Sequence, residues 1–327
     1  METVQATSGV QVDDEDSQSD PSFGEEDIFS TSNTITSSVR KFEWKYGRRY
    51  HSYQAGRYSF PNDDTEQDRL DMIHHVYYRL LEDRLFLAPI EPAGLNVLDI
   101  GTGTGIWAIQ FGDEHPLSKI VGNDLSPIQP DWVPPNVKFV VDDIEMDWVE
   151  PIQYDYIHCR YMAGSIKDWP RLFKQAYANL KPGGWVEFQE TANTLYSDDG
   201  TLTPENPMLK MMEYLLLACD KIGRTMDPAP YFGQWAAEVG FTELREERFK
   251  LPIGTWPKDL RLKEIGNLMR ANFHEGVGAF TAVLCTEVLG WSREEIEVFN
   301  ASVREASRQR SVHPVLDFVV LTGRKPG

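Results

Sequence analysis

Asp99, Gly101, Gly103 and Gly105 alternate through the run Asp99-Ile100-Gly101-Thr102-Gly103-Thr104-Gly105. Glycines at this density let a backbone turn sharply and let a ligand approach with no Cβ in the way. If the run closes a strand and opens a helix, the free N–H groups of the helix N-terminus face that ligand. Two further acidic points follow, at Asp124 and in Asp142-Asp143-Ile144-Glu145. A carboxylate at the end of the next strand accepts hydrogen bonds from ribose hydroxyls, so the pattern points to a nucleoside. The dinucleotide fingerprint G-x-G-x-x-G, counted from Gly101, needs a third glycine at position 106, where the chain has Ile106. The spacing therefore disfavours a nicotinamide-dependent oxidoreductase.

The elements that must hold these residues are legible around them. Asn96–Ile100 is a short apolar run, Gly101–Gly105 the turn, and Ile106–Phe111 the start of a helix. Lys119–Gly122, Val137–Val141, Tyr154–Cys159 and Trp185–Gln189 read as further strands. A helix over Leu172–Leu180 stops at Lys181-Pro182-Gly183-Gly184. Strands alternating with helices predict a parallel sheet covered on both faces. Before this unit, Asn62-Asp63-Asp64 offers capping side chains, and Leu70, Ile73, Tyr77 and Leu80 recur at helical spacing in a helix expected to end near Pro89. After Thr191, helices are expected at Pro207–Ile222, Tyr231–Val239, Pro257–Met269, Gly278–Leu289 and Arg293–Gln309, with strands at Leu244–Leu251 and Val315–Leu321.

Composition narrows the partners. The 327 residues carry a net charge of −19, and residues 1–40 alone hold nine acids against the single base Arg40. Such a surface repels nucleic-acid phosphates and anionic lipid, so neither is expected as a partner. Residues 1–40 are too polar to bury a core and read as a disordered acidic tail. Cys159, Cys219 and Cys285 are odd in number, widely spaced and free of any CxxC, which fits a reducing compartment. His74 and His75 are adjacent on a helix and diverge, so no metal site is expected. No basic and apolar leader is read at the N-terminus, and no apolar run is long enough to span a bilayer.

The glycine run with Asp99, together with Asp124, Asp143 and the Leu180-Lys181-Pro182-Gly183-Gly184 turn, resembles the motif set of class I methyltransferases. That resemblance implies a Rossmann-like α/β fold with a mostly parallel seven-stranded sheet, and S-adenosyl-L-methionine (SAM) as the methyl donor. It assigns Asp99, Gly101, Thr102, Gly103 and Gly105 to the cofactor loop, Asp124 to the ribose hydroxyls, Asp143 and Ile144 to the adenine, and Leu125 to the same cofactor site.

Flanking segments are similar to the LaeA-like fungal methyltransferases. They include Gly47-Arg48-Arg49-Tyr50-His51-Ser52-Tyr53, Pro61-Asn62-Asp63-Asp64, Asp124-Leu125-Ser126-Pro127 and Leu289-Gly290-Trp291-Ser292. The chain has Gly-Thr-Gly-Thr-Gly where the namesake is expected to carry a cysteine at the second position, so it resembles a paralogue of that regulator. The implied organisation is a tail at 1–40, an N-terminal helical lid at 41–92, and a SAM-binding domain at 93–327 with a helical substrate-side insertion around 253–312.

The resemblance also sets expectations for the chemistry. Methyl transfer from a sulfonium needs alignment and exclusion of water, and a base only if the acceptor must lose a proton. His158, at the end of the fourth strand, and Glu190, at the end of the fifth, are the candidate bases. Arg48, His51, Tyr53, Tyr58 and Tyr161 are the candidate lid and acceptor residues. The expected function is methylation, by default at oxygen, of a small organic acceptor from secondary metabolism by a cytoplasmic enzyme. The alternative is a nuclear regulatory role with a velvet-type protein partner.

Overall fold

A computed structural model of the chain describes residues 42–51, 60–148 and 153–327. The acidic tail 1–40, Tyr53 and Tyr58 lie outside the described residues. Seven strands form the central sheet: β3 (Asn96–Ile100), β4 (Lys119–Asp124), β5 (Val137–Val141), β6 (Tyr154–Arg160), β7 (Leu180–Tyr196), β8 (Thr242–Pro252) and β9 (Val315–Arg324). Their order is β5-β4-β3-β6-β7-β9-β8. β9 pairs antiparallel with both β7 and β8, and the remaining pairs are parallel. This is the mostly parallel α/β sheet expected from the alternating pattern.

Successive strand residues face opposite sides of a sheet, and this alternation sorts the core. Val97 and Tyr156 pack with Trp107, Ala108 and Phe111 of helix α2 (Ile106–Glu114). Leu98, Ile157, Val186 and Phe188 pack on the other face with α3 (Trp169–Asn179) and α5 (Phe232–Val239). A third cluster joins α1 (Asp64–Leu80), α4 (Pro207–Lys221), α6 (Leu260–Val283) and α7 (Arg293–Ala306) over the far ends of β7, β8 and β9.

The helix starts follow local chemistry. Asp63 caps α1 by accepting the Glu66 N–H at 3.1 Å, and Ser292 with Glu295 forms a capping box on α7. The N-terminal lid differs from the helical expectation. β1 (Phe42–Lys45) and β2 (Arg48–His51) form an antiparallel hairpin ahead of α1. Its two-residue turn, Tyr46-Gly47, has φ of 52° and 75°, the geometry that a tight hairpin requires. α1 ends at Leu80 rather than near Pro89.

Two expected helices, Pro257–Met269 and Gly278–Leu289, merge into α6 and a π-helical turn at Leu284–Val288. The glycines of α6 serve close approach. A Cβ on Gly266 would lie 2.1 Å from the Gly254 carbonyl oxygen, and one on Gly276 would press on Phe280 and Arg69.

Candidate active site

The carboxyl ends of β3, β4, β5 and β6 open into one cavity of about 1170 Å³, counted with its mouth. Neighbouring strands lie about 4.8 Å apart, so three steps from β5 to β6 make the floor about 14 Å long. The glycine loop sits in the middle. Gly101 N–H reaches the Asn123 side chain at 3.2 Å, and Thr102 N–H the Asn123 carbonyl at 2.8 Å, which binds the loop to the end of β4. Gly101 and Gly103 have φ of 63° and 58°, in the left-handed region that other residues avoid. A Cβ on Gly101 would stand 2.2 Å from Met162 Sδ, whereas one on Gly103 meets only Leu70, at 3.7 Å, and would project into free space. Thr104 Oγ1 donates to Asp71 of α1 at 2.6 Å, which ties the helix across the loop.

The cavity is polar in a directed way. Its lining holds five carboxylates, Asp99, Asp124, Asp142, Asp143 and Glu145, and among the described residues a single Lys or Arg, Arg160. Four of the acids follow β4 and β5, and the guanidinium closes β6 on the far side of the glycine loop. Asp124 accepts the Gly103 N–H at 2.9 Å and the Ser126 N–H at 2.9 Å. Burial nonetheless pushes its carboxyl up to about 6.

Beneath the loop lies a buried polar layer. Asp99 accepts from Thr102 Oγ1 at 2.5 Å and from His158 Nδ1 at 2.7 Å. The His158 ring stacks on Trp107 with centroids 3.8 Å apart and planes 6° from parallel. Arg160 Nη2 lies 2.7 Å from His74 Nδ1. A guanidinium can only donate, so Nδ1 is the acceptor, and the ring hydrogen sits on Nε2, 2.9 Å from Gln110 Oε1. Burial and the Arg160 charge push His74 down to about 3, so it is neutral at physiological pH. His74 thus orients Arg160 without adding a charge of its own.

After β6 the chain turns at Tyr161, whose φ of 59° is strained for a residue with a Cβ. Glu190 holds this turn. Its carboxylate accepts the N–H groups of Met162 at 2.7 Å, Ala163 at 2.8 Å and Thr191 at 3.0 Å. Burial raises its carboxyl to about 7.

Tyr161, Tyr77, Ile73 and Ser165 line both the first cavity and a second one of about 690 Å³. The second cavity lies among α1, α4 and α6, and its wall combines methionines and phenylalanines with the neutral polar side chains of Ser165, Thr191, Asn193 and Asn272.

The sequence candidates divide accordingly. Asp99, Gly101, Thr102, Gly103, Asp124, Leu125, Asp143 and Ile144 come together around the first cavity. Gly105 does not line it. A Cβ there would lie 2.3 Å from the Phe139 ring, so this glycine serves packing. His158 reaches the cavity floor but is fully buried and sealed under Trp107. Glu190 lines neither cavity, because its oxygens are committed to the turn. Neither is placed as a free base. Arg48 is not an acceptor ligand. It pairs with Asp63, with Nη2 at 2.7 Å, and so braces the start of α1. His51 is buried in β2 and lines neither cavity. Tyr161 lines both cavities. Sequence reasoning missed Arg160 and His74 as a pair, although Arg160 sits two residues after His158 and so shares its face of the sheet.

Among the described residues, no helix is long and apolar enough to cross a membrane. A family model described as a methyltransferase domain matches residues 72–246. The chain is 62% identical to methyltransferase pytC of Aspergillus terreus over 301 residues, 92% of this chain and 93% of that protein. It is 31% identical to the probable methyltransferase tdiE of Emericella nidulans over 303 residues, 91% of this chain and 95% of that protein. It is also 31% identical to the secondary metabolism regulator laeA of Aspergillus fumigatus over 287 residues, 86% of this chain and 76% of that protein. With its sheet order and these matches, the chain belongs to the LaeA-like fungal methyltransferases, class I enzymes that use S-adenosyl-L-methionine, as a paralogue of the namesake regulator.

Proposed function

We propose that the protein methylates an oxygen of a small organic acceptor in secondary metabolism. The observation that carries this reading is the pair of adjoining cavities that share Tyr161 in their walls. The first suits SAM by its donor set. Asp124 and Asp143 offer acceptors to ribose hydroxyls and the adenine amino group, Leu125 and Ile144 flank the base, and Gly103, where a Cβ would meet only Leu70, admits close backbone approach. Arg160, held by neutral His74, supplies the counter-charge for the α-carboxylate at the other end. A pyrophosphate would instead meet a carboxylate-rich lining with one cation.

Bound SAM supplies a methyl carbon already activated by its sulfonium. The protein's work is then to align an acceptor oxygen from the second cavity and to exclude water. Tyr161 borders both spaces and presents its hydroxyl there. We assign His158 to orienting Asp99, and Glu190 to holding the Tyr161 turn, rather than to proton transfer. The place in secondary metabolism is supported by the regulator named above, and the enzyme reading by the methyltransferase that is 62% identical over nearly its whole length.

Incubation of the full chain with methyl-labelled SAM and a fungal metabolite extract tests the reading. Label is expected in organic-soluble small molecules. Label found only in protein, with stable capture of a velvet-type partner, would replace it by the regulatory role.

A further inference from the structure

We propose that the second cavity selects an uncharged, largely apolar acceptor that carries a hydrogen-bond-accepting oxygen, and rejects carboxylates and amines of the same shape. This rests on the methyltransferase reading of the first cavity. The wall is built from Met211, Met212, Met226 and Met269 with Phe273 and Phe280. Methionines adapt to irregular apolar shapes and make no fixed polar demand.

Among the described residues, Arg69 is the only charged one that lines the space, and its charge is already matched. Nε and Nη2 donate to the two Glu66 oxygens at 3.0 and 2.6 Å, and both side chains are almost wholly buried. Nη1 donates to Asn272 Oδ1 at 2.6 Å and to the Tyr161 hydroxyl at 3.1 Å. The guanidinium also lies over the Phe280 ring, 4.9 Å from its centroid. An acceptor carboxylate would find no uncompensated cation there, and an ammonium no free anion. Either would lose its hydration without a partner.

The same bonds fix what the wall offers. Arg69 only donates, so the Asn272 atom facing it is the carbonyl oxygen, and the NH2 points away from the pair. Tyr161 accepts from Arg69, so its own hydrogen is directed elsewhere. Both residues line the second cavity and keep a hydrogen to donate, which suits a carbonyl or ether oxygen on the acceptor.

The test uses three probes on one naphthalene ring, 2-naphthol, 2-naphthoate and 2-naphthylmethylamine, titrated by calorimetry into the full chain saturated with S-adenosylhomocysteine. The prior titration of S-adenosylhomocysteine itself reads the first cavity separately. Naphthol is expected to bind at least about tenfold more tightly than either charged probe. Glu66→Gln removes the anion that matches Arg69 and is expected to turn the preference toward naphthoate. Met269→Trp fills the space and is expected to abolish naphthol binding with S-adenosylhomocysteine affinity unchanged. It keeps the test valid if Glu66→Gln does not fold. Equal or tighter wild-type binding of a charged probe, no binding of any probe, or naphthol binding that survives Met269→Trp would each overturn the proposal.

Discussion

The two cavities share the wall of Tyr161, Tyr77, Ile73 and Ser165 and are built on opposite plans. The first is made of strand ends and tight turns, with carboxylates on one side of a glycine loop and one guanidinium on the other. The second is made of helix faces, with sulfur and aromatic carbon at its surface and its one ion pair closed on itself. A site that must recognise one fixed molecule uses directional groups on rigid strands. A site whose partner varies within a family uses deformable side chains on helices.

The contrast can be broken hardest at the glycine loop. Gly103→Arg places a long side chain at a φ of 58°, facing the cavity mouth. Strain and occupation together are expected to abolish S-adenosylhomocysteine binding in calorimetry, a loss of at least about 100-fold, with the circular dichroism unchanged.

The border between the cavities is next. Glu190 is raised from 4.5 to about 7 by burial, so between those values the native state keeps a proton that the unfolded state has lost. Stability therefore falls as pH rises through that window, by about 3 kcal/mol in all. Glu190→Gln is expected to flatten this part of the stability profile, measured by urea unfolding from pH 4.5 to 7.5.

Arg160 comes third. Arg160→Met is expected to cost about 1.5–3 kcal/mol, roughly ten- to a hundredfold, in S-adenosylhomocysteine affinity. It should leave 5′-methylthioadenosine, which has no carboxylate, unaffected. Equal losses for the two ligands would remove Arg160 from the carboxylate.

Asp124 gives a smaller, graded effect. Its carboxyl titrates near 6, and only the ionised form accepts freely from hydroxyls. Affinity for S-adenosylhomocysteine should weaken by up to about tenfold per pH unit below that value, and Asp124→Asn should remove the slope.

The smallest effect belongs to the second cavity. Met212→Leu keeps volume and polarity, so stability should change by less than about 1.5 kcal/mol and S-adenosylhomocysteine affinity not at all.

The same contrast explains what could be read from the residues alone. Asp99, the glycines, Asp124 and Asp143 stand at strand ends in fixed order, so chain position nearly determines spatial position. Strand alternation could also have placed Arg160 beside His158, but its orientation depends on His74 from a helix 86 residues away. The Glu66–Arg69 pair looks in sequence like an ordinary exposed i, i+3 pair. It is buried only because α6 packs across α1, with Asn272 and the flat face of Gly276 against it. The N-terminal hairpin escaped notice because its strands are only four residues long: Phe42-Glu43-Trp44-Lys45 alternates, but Arg48-Arg49-Tyr50-His51 does not, so no period is established. Glu190 and His158 drew attention as titratable groups at strand ends, but only the packing reveals that both Glu190 oxygens are committed to backbone N–H groups and that His158 is tied through Nδ1 to Asp99 and sealed under Trp107.

A crystal structure of the full chain with S-adenosylhomocysteine tests the division of labour most directly. The adenine is expected beside Asp143 and Ile144, the carboxylate on Arg160, and the sulfur facing Tyr161, on the wall shared with the second cavity. An adenine on the Arg160 side, or a sulfur turned away from Tyr161, would contradict that arrangement.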